Sequence, residues 1–168
     1  MNNILISFLG IALFASAVRG AEDGAVNADQ SFVTKISQSG MYEVKLGELA
    51  SKRAFKQNVK DFGTQMVKDH GKANEDLAKL AFRKNWTLAK ELDAEHQEMV
   101  DRLAQLSDER FDLEYVAEMV KDHDKDVDEV NAKIPKLNDR ELKAWAQSAV
   151  NVMEMHQHQI KQISGRTR

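Results

Sequence analysis

The chain contains no cysteine and a single proline among its 168 residues. The first absence excludes disulfides, thiolate metal sites, a catalytic cysteine and a lipid anchor on cysteine. The second leaves long helices uninterrupted, because proline removes a helix hydrogen bond and clashes with the preceding turn. Aromatic residues make up only 7%, so a core must come from Leu, Val, Ala and Met. Neither sign of charge dominates, with 24 basic against 27 acidic residues and a net charge of -3. A nucleic-acid partner would need a basic stripe, and there is none. No Ser/His/Asp arrangement, Gly-rich phosphate loop or glycosidase-like acid pair is visible, so hydrolysis and phosphoryl transfer have no support. No stretch alternates with period two for long enough to form a strand.

One long apolar run exists, from Ile4 to Val18. It has the length of a signal-peptide core and is short for a membrane span. Small residues follow in Ala15-Ser16-Ala17 and Val18-Arg19-Gly20-Ala21, placing cleavage between about Ala17 and Ala21, although Met1-Asn2-Asn3 lacks the usual basic residue. The expectation is a periplasmic or secreted protein with residues 1–20 as leader and no transmembrane span in the mature chain. An uncleaved segment would instead act as an N-terminal membrane anchor.

Behind a flexible lead-in over 21–28, the apolar residues recur in steps of three and four, the period of a helix buried on one face. The spacing predicts long helices over about 29–54, 57–84, 109–133 and 138–163, with a short helix over 94–106 and a frayed tail at 164–168. Asp93 is placed to cap the short helix and Pro135 to end the one before it. Asn27-Ala28-Asp29-Gln30 and Asn138-Asp139-Arg140-Glu141 read as capping-box-like starts. Gly40 and Gly47 thin the inner face of the first helix and predict a close helix approach. The architecture expected is all-α: an antiparallel four-helix bundle made of two helix hairpins joined by a short crossover helix.

Met66-Val67-Lys68-Asp69-His70 recurs letter for letter as Met119-Val120-Lys121-Asp122-His123. Each copy puts its histidine on the predicted inner face. Glu43 and His156 occupy the inner faces of the other two long helices. Imidazoles and a carboxylate converging in a bundle core are the ingredients of a transition-metal site. A buried carboxylate also needs a cation, a proton or a strong donor. Buried histidines are most often satisfied by hydrogen bonds alone, and that reading stays open. At ~1.5 Å rise per residue, Glu43 and His70 lie roughly 18 and 22 Å from a first turn near Ala54-Phe55, so they can meet. By the same rule, a second turn near Lys136 puts His123 about 20 Å and His156 about 30 Å away, which sets His156 a layer apart. Met66, Met119 and Met153 each precede a histidine by about one turn. They read as core filler, although the segment Met153 to His158 holds donors that suit copper. Asp69 and Asp122 are expected at the rim or orienting a ligand from a neighbouring helix. Lys68, Lys121, His96 and His158 are expected in solvent.

In combination, Phe32-Val33, Gly40-Met41-x-Glu43, Leu46-Gly47-x-Leu49-Ala50, Met66-Val67-x-Asp69-His70, Leu92-Asp93-x-Glu95-His96, Phe111-Asp112-x-x-Tyr115 and a late His156 resemble a bacterial family of exported proteins. It is classed as domain of unknown function 4142, and its members often carry an outer-membrane label. The resemblance covers about residues 31–160 and implies a ferritin-like four-helix bundle with no established activity. The Leu-Pro pair that the family commonly carries before its last histidine is Val150-Asn151 here. The residues three before His70 and His123 are Val67 and Val120, so the Glu-x-x-His motifs of ferritin-like di-iron enzymes are missing. A helical bundle is not an outer-membrane barrel.

The functional expectation is a transition-metal ion (Zn, Fe, Cu or Mn) held by Glu43, His70, His123 and His156, for metal handling or envelope stress rather than turnover. The alternative is a metal-free module that binds an envelope protein partner, its histidines and Glu43 forming a buried hydrogen-bond layer.

Overall fold

The structure, a computed structural model, describes residues 15–165, with side chains from residue 28 onward. Most of the leader assigned to 1–20 lies outside the described residues. Five α-helices follow in order: α1 (Ala15–Arg53), α2 (Gln57–Lys84), α3 (Ala94–Ala104), α4 (Asp108–Lys133) and α5 (Arg140–Gly165), with a 3₁₀ turn at Ile134–Lys136 between α4 and α5. Among the described residues there is no strand, and no helix is long and apolar enough to cross a membrane.

Three boundaries follow the local chemistry. Asn85 ends α2 in the left-handed region at φ 55°, which asparagine tolerates, and its N–H returns to the last carbonyls of the helix. The Asp93 carboxylate accepts from the His96 N–H at 2.9 Å and caps α3. Pro135 lies in the 3₁₀ turn that closes α4.

One boundary differs from expectation. The helix predicted to start at Asp29 starts at Ala15, so the backbone of 21–28 is helical and no helix begins near Asn27. Asp29 serves another helix instead, accepting from the Asn138 and Asp139 N–H groups at 2.9 Å each ahead of α5. Asp112 of α4 does the same for α2, accepting from Phe55 N–H and Lys56 N–H at 2.8 Å each. Each hairpin turn is thus pinned by an aspartate of the other hairpin, and these bonds satisfy N–H groups that a helix start leaves orphaned.

Helix α1 packs along α2, and α4 along α5; α2 also packs on α5, and α1 on α4. Both α2 and α4 therefore lie between α1 and α5. The Asp112 bonds bring the starts of α2 and α4 to one end, so these two helices run in the same direction. The close approach predicted by the glycines is present. A methyl group added at Gly47 would meet Gly63 O at 2.8 Å, and one at Gly63 would meet the Ala50 methyl at 2.7 Å. Around these contacts the core forms two apolar clusters. One gathers Phe32, Ile36, Leu77, Val127 and Met153; the other gathers Leu46, Phe62, Met66, Met119 and Ile160. On every long helix the polar residue singled out from the sequence falls between the two clusters.

Candidate metal centre

Glu43, His123 and His156 are 0% exposed and His70 is 4% exposed. All four meet in one layer. His70 Nδ1 lies 2.8 Å from Glu43 Oε2, and His123 Nε2 lies 3.8 Å from Glu43 Oε1. His70 Nε2 is 3.2 Å from His156 Nδ1. One ring nitrogen from each of His70, His123 and His156 falls within 4.8 Å of the others. Phe62 closes the layer on one side, its ring 6.5 Å from His123 and 6.0 Å from His156.

The separate level expected for His156 is overturned. Helix α4 runs on into the 3₁₀ turn, whose three residues rise faster than α-helical ones. From His123 to the end of that turn is roughly 21 Å, against about 24 Å from Arg140 to His156. Side chains also tilt toward the start of their helix, which carries His123 away from the turn and His156 toward it. Together these close the gap.

The repeated pentapeptide diverges in its aspartates. Asp69, about a quarter exposed, accepts from His156 Nε2 at 3.0 Å. Asp122 is 7% exposed and belongs to the layer, not to the rim. A carboxylate oxygen of Asp122, one of Glu43 and a nitrogen of His123 fall within 4.8 Å of one another. The reason lies in the packing: the two copies sit on helices flanked by the same pair, α1 and α5, from opposite sides. A half-turn that exchanges α2 with α4 exchanges α5 with α1. The Asp69–His156 pair then has Asp122–Glu43 as its counterpart. The sequence signal for Asp122 was a second row beside the apolar stripe, Tyr115, Glu118, Asp122 and Asp126, at helical spacing.

Hydrogen bonding fixes the imidazole tautomers. His123 Nδ1–H donates to Met119 O at 3.1 Å, which leaves Nε2 as a bare lone pair. His156 Nε2–H donates to Asp69, which leaves Nδ1 bare. His70 has one proton for two neighbours. If Nε2 carries it, bare Nδ1 faces the Glu43 carboxylate; if Nδ1 carries it, bare Nε2 faces bare His156 Nδ1. Neither Glu43 oxygen has a hydrogen-bond partner, although His70 Nδ1 lies 2.8 Å from Oε2. His123 Nε2, Asp122 Oδ2 and the Tyr115 hydroxyl are likewise buried without a hydrogen-bond partner. Several buried polar atoms therefore converge here without a hydrogen-bond partner.

Burial sets the protonation states. It lowers the His70 value to about 4 and, with His70 and His156 close by, the His123 value to about 3. The His156 value is lowered by burial and by His70, against the pull of Asp69. Burial, then the Asp126 charge, holds Glu43 well above the ordinary carboxylate range. Burial, then Glu43, does the same to Asp122. At neutral pH the imidazoles are neutral, the state in which they bind metals.

A cleft of about 130 Å³ reaches the layer from outside, lined by Glu43, Asp69, His70, Asn74, Trp145 and Met153 among others. Trp145 Nε1–H donates to Ala73 O across it at 3.2 Å. His96, expected in solvent, is half-buried away from the layer, its ring tilted against Tyr42 at 4.4 Å and paired with Asp93 at 3.0 Å. His158, Lys68 and Lys121 are exposed, as expected. Met66, Met119 and Met153 are buried packing residues.

The chain resembles two solved structures at low identity. A crystal structure of a DUF305 fragment from Deinococcus radiodurans superposes with a TM-score of 0.73 at 15% identity, covering 83% of this chain and 96% of that one. CopM in the Cu(II)-bound form superposes with a TM-score of 0.71 at 18% identity, covering 83% and 97%. At these identities the likeness is one of fold. No curated protein matches. The model for a domain of unknown function, DUF4142, matches residues 15–163, nearly the whole chain, and the protein belongs to that family.

Proposed function

We propose that the protein is an exported, ferritin-like four-helix bundle of α1, α2, α4 and α5 that holds a transition-metal ion in its core. Glu43, His70, His123 and His156 are the ligands. The observation that carries this reading is the buried convergence of three neutral imidazoles and Glu43, with His123 Nε2 and both Glu43 oxygens lacking a hydrogen-bond partner. Such a group is costly as a metal-free layer and suited to a cation, whose ligands must be deprotonated. Met119 O and Asp69 hold the second nitrogens of His123 and His156, the outer hydrogen bonds that orient metal-ligating histidines. Imidazole and carboxylate donors without sulfur fit Zn, Fe, Cu or Mn. The Cu(II) named for CopM keeps copper among them. The cleft beside Glu43 and His70 gives the ion a way in and out, which suits metal handling or envelope stress better than storage in a sealed core. Export rests on the apolar run from Ile4 to Val18.

The metal-free alternative draws on one contact, the hydrogen bond between His70 and His156. In it the layer is structural and an envelope protein is the partner. Titration of tag-free, metal-stripped protein with Co²⁺ separates the two. The metal reading expects ligand-field bands that saturate and are lost in His70→Ala and His123→Ala. A wild-type spectrum identical to aqueous Co²⁺ would leave the structural reading standing.

A further inference from the structure

The half-turn relating α2 to α4 sets a satisfied pair against an unsatisfied one. Asp69 faces an imidazole and accepts its proton. Asp122, its counterpart, faces the Glu43 carboxylate. Asp122 Oδ2 and both Glu43 oxygens are buried without a hydrogen-bond partner, and so is the Tyr115 hydroxyl, which lies near enough to both carboxylates to feel their charge. Asp126, one turn further along α4, is also buried but takes the Ser39 hydroxyl. Among the described residues no lysine or arginine forms an ion pair with Glu43 or Asp122; exposed Lys125 acts on Asp122 from a distance, and Lys35, near Asp126, is engaged by Glu129. One ion among the imidazoles would leave the Asp122 side with only the exposed Lys125 as counter-charge. Two buried carboxylates at this separation repel unless a proton or a cation lies between them.

We propose that Glu43, Asp122 and Tyr115 form a second cation position beside the imidazole one, with Glu43 shared between the two and the second ion held by oxygen. Carboxylate and phenol oxygens select a harder divalent cation than the histidine position does, of the Mn²⁺ class. The ligand asymmetry makes the centre heteroleptic: nitrogen-rich between α2, α4 and α5, oxygen-rich between α1 and α4. A groove of about 230 Å³ between α1 and α4 has Ser39 and Asp126 in its lining, and Asp126 is one turn from Asp122. The proposal rests on the metal reading of the imidazole layer and adds a stoichiometry to it.

The test is metal counting on tag-free, stripped, full-length protein equilibrated with Mn²⁺, with the EPR spectrum recorded at saturation. Wild type is expected to bind two equivalents and to show an exchange-coupled spectrum. Asp122→Asn is expected to bind one and to show only isolated-ion lines, and Tyr115→Phe to weaken the second equivalent alone. A wild type that binds one equivalent, unchanged by Asp122→Asn, overturns the second position and leaves the imidazole site intact. A wild type that binds no Mn²⁺ overturns the second position, and the imidazole reading is then decided by its Co²⁺ spectrum alone. Should Asp122→Asn fail to fold, the wild-type count and its EPR lines decide, because a single uncoupled ion contradicts the proposal by itself.

Discussion

Replacing Glu43 with methionine should make the metal-free protein more stable while abolishing its response to metal. Glu43 is 0% exposed and neither of its oxygens has a hydrogen-bond partner. A buried polar group left unsatisfied costs about 1–3 kcal/mol, and a shape-conserving apolar replacement recovers that amount. Methionine has nearly the length and volume of glutamate and adapts to irregular gaps, so little cavity or overpacking offsets the gain. The gain should also depend on pH. Native Glu43 keeps its proton well above the ordinary carboxylate value, whereas unfolded Glu43 loses it near 4.5. Above that pH the native state binds the extra proton, so each further unit weakens wild type by up to ~1.4 kcal/mol until Glu43 ionises in place. Glu43→Met removes this slope and should gain more at pH 8 than at pH 5. Urea unfolding with EDTA at both pH values measures it, and a rise in Tm of roughly 2–4 °C per kcal/mol is expected for a chain of this size. Destabilisation by more than about 1 kcal/mol at both pH values would refute the reasoning, because it would mean Glu43 contributes favourable contacts without metal.

Three further outcomes follow from the same geometry. The buried imidazoles should make the metal-free protein acid-sensitive: native His70 titrates at about 4 against 6.5 unfolded, so acid favours the unfolded state from pH 6.5 downward. That group alone removes ~3 kcal/mol by pH 4, and urea midpoints across pH 7 to 4 should fall accordingly. Asp69→Ala frees the His156 ring while removing a side chain about a quarter exposed; metal affinity by calorimetry should drop ~10–100-fold with stability changed by less than about 1 kcal/mol. Gly63→Ala should destabilise by roughly 1–3 kcal/mol in thermal unfolding, because its methyl would meet backbone of α1; Gly40→Ala should be milder, since only the movable Asn74 side chain is in the way.

Helical periodicity made much of this legible. The stripes through Glu43, His70, His123 and His156 are properties of single helices, and all four residues face inward together. The α2 boundaries were readable because Gln57–Lys84 is flanked by a short turn and by Asn85 in a left-handed cap. What escaped depended on partners far along the chain. Asp29 reads as part of a local capping box but, like Asp112, binds backbone N–H groups near the start of another helix. The level of His156 hinged on the rise of three residues at Ile134–Lys136. Asp69 and Asp122 are identical in local sequence, and only the identity of the helix facing each, α5 or α1, makes one an imidazole's partner and the other a carboxylate's neighbour.

Metal content tests the central claim most directly. Protein expressed without a histidine tag, purified without chelator and analysed by inductively coupled plasma mass spectrometry should carry at least one equivalent of Zn, Cu, Fe or Mn, with His123→Ala purified alongside losing the imidazole-bound ion. Stripping that metal should lower Tm and restoring it should raise it again, because the ion binds only the folded chain. Wild type that emerges metal-free, and whose Tm does not move under added Zn, Cu, Fe or Mn, would contradict the account.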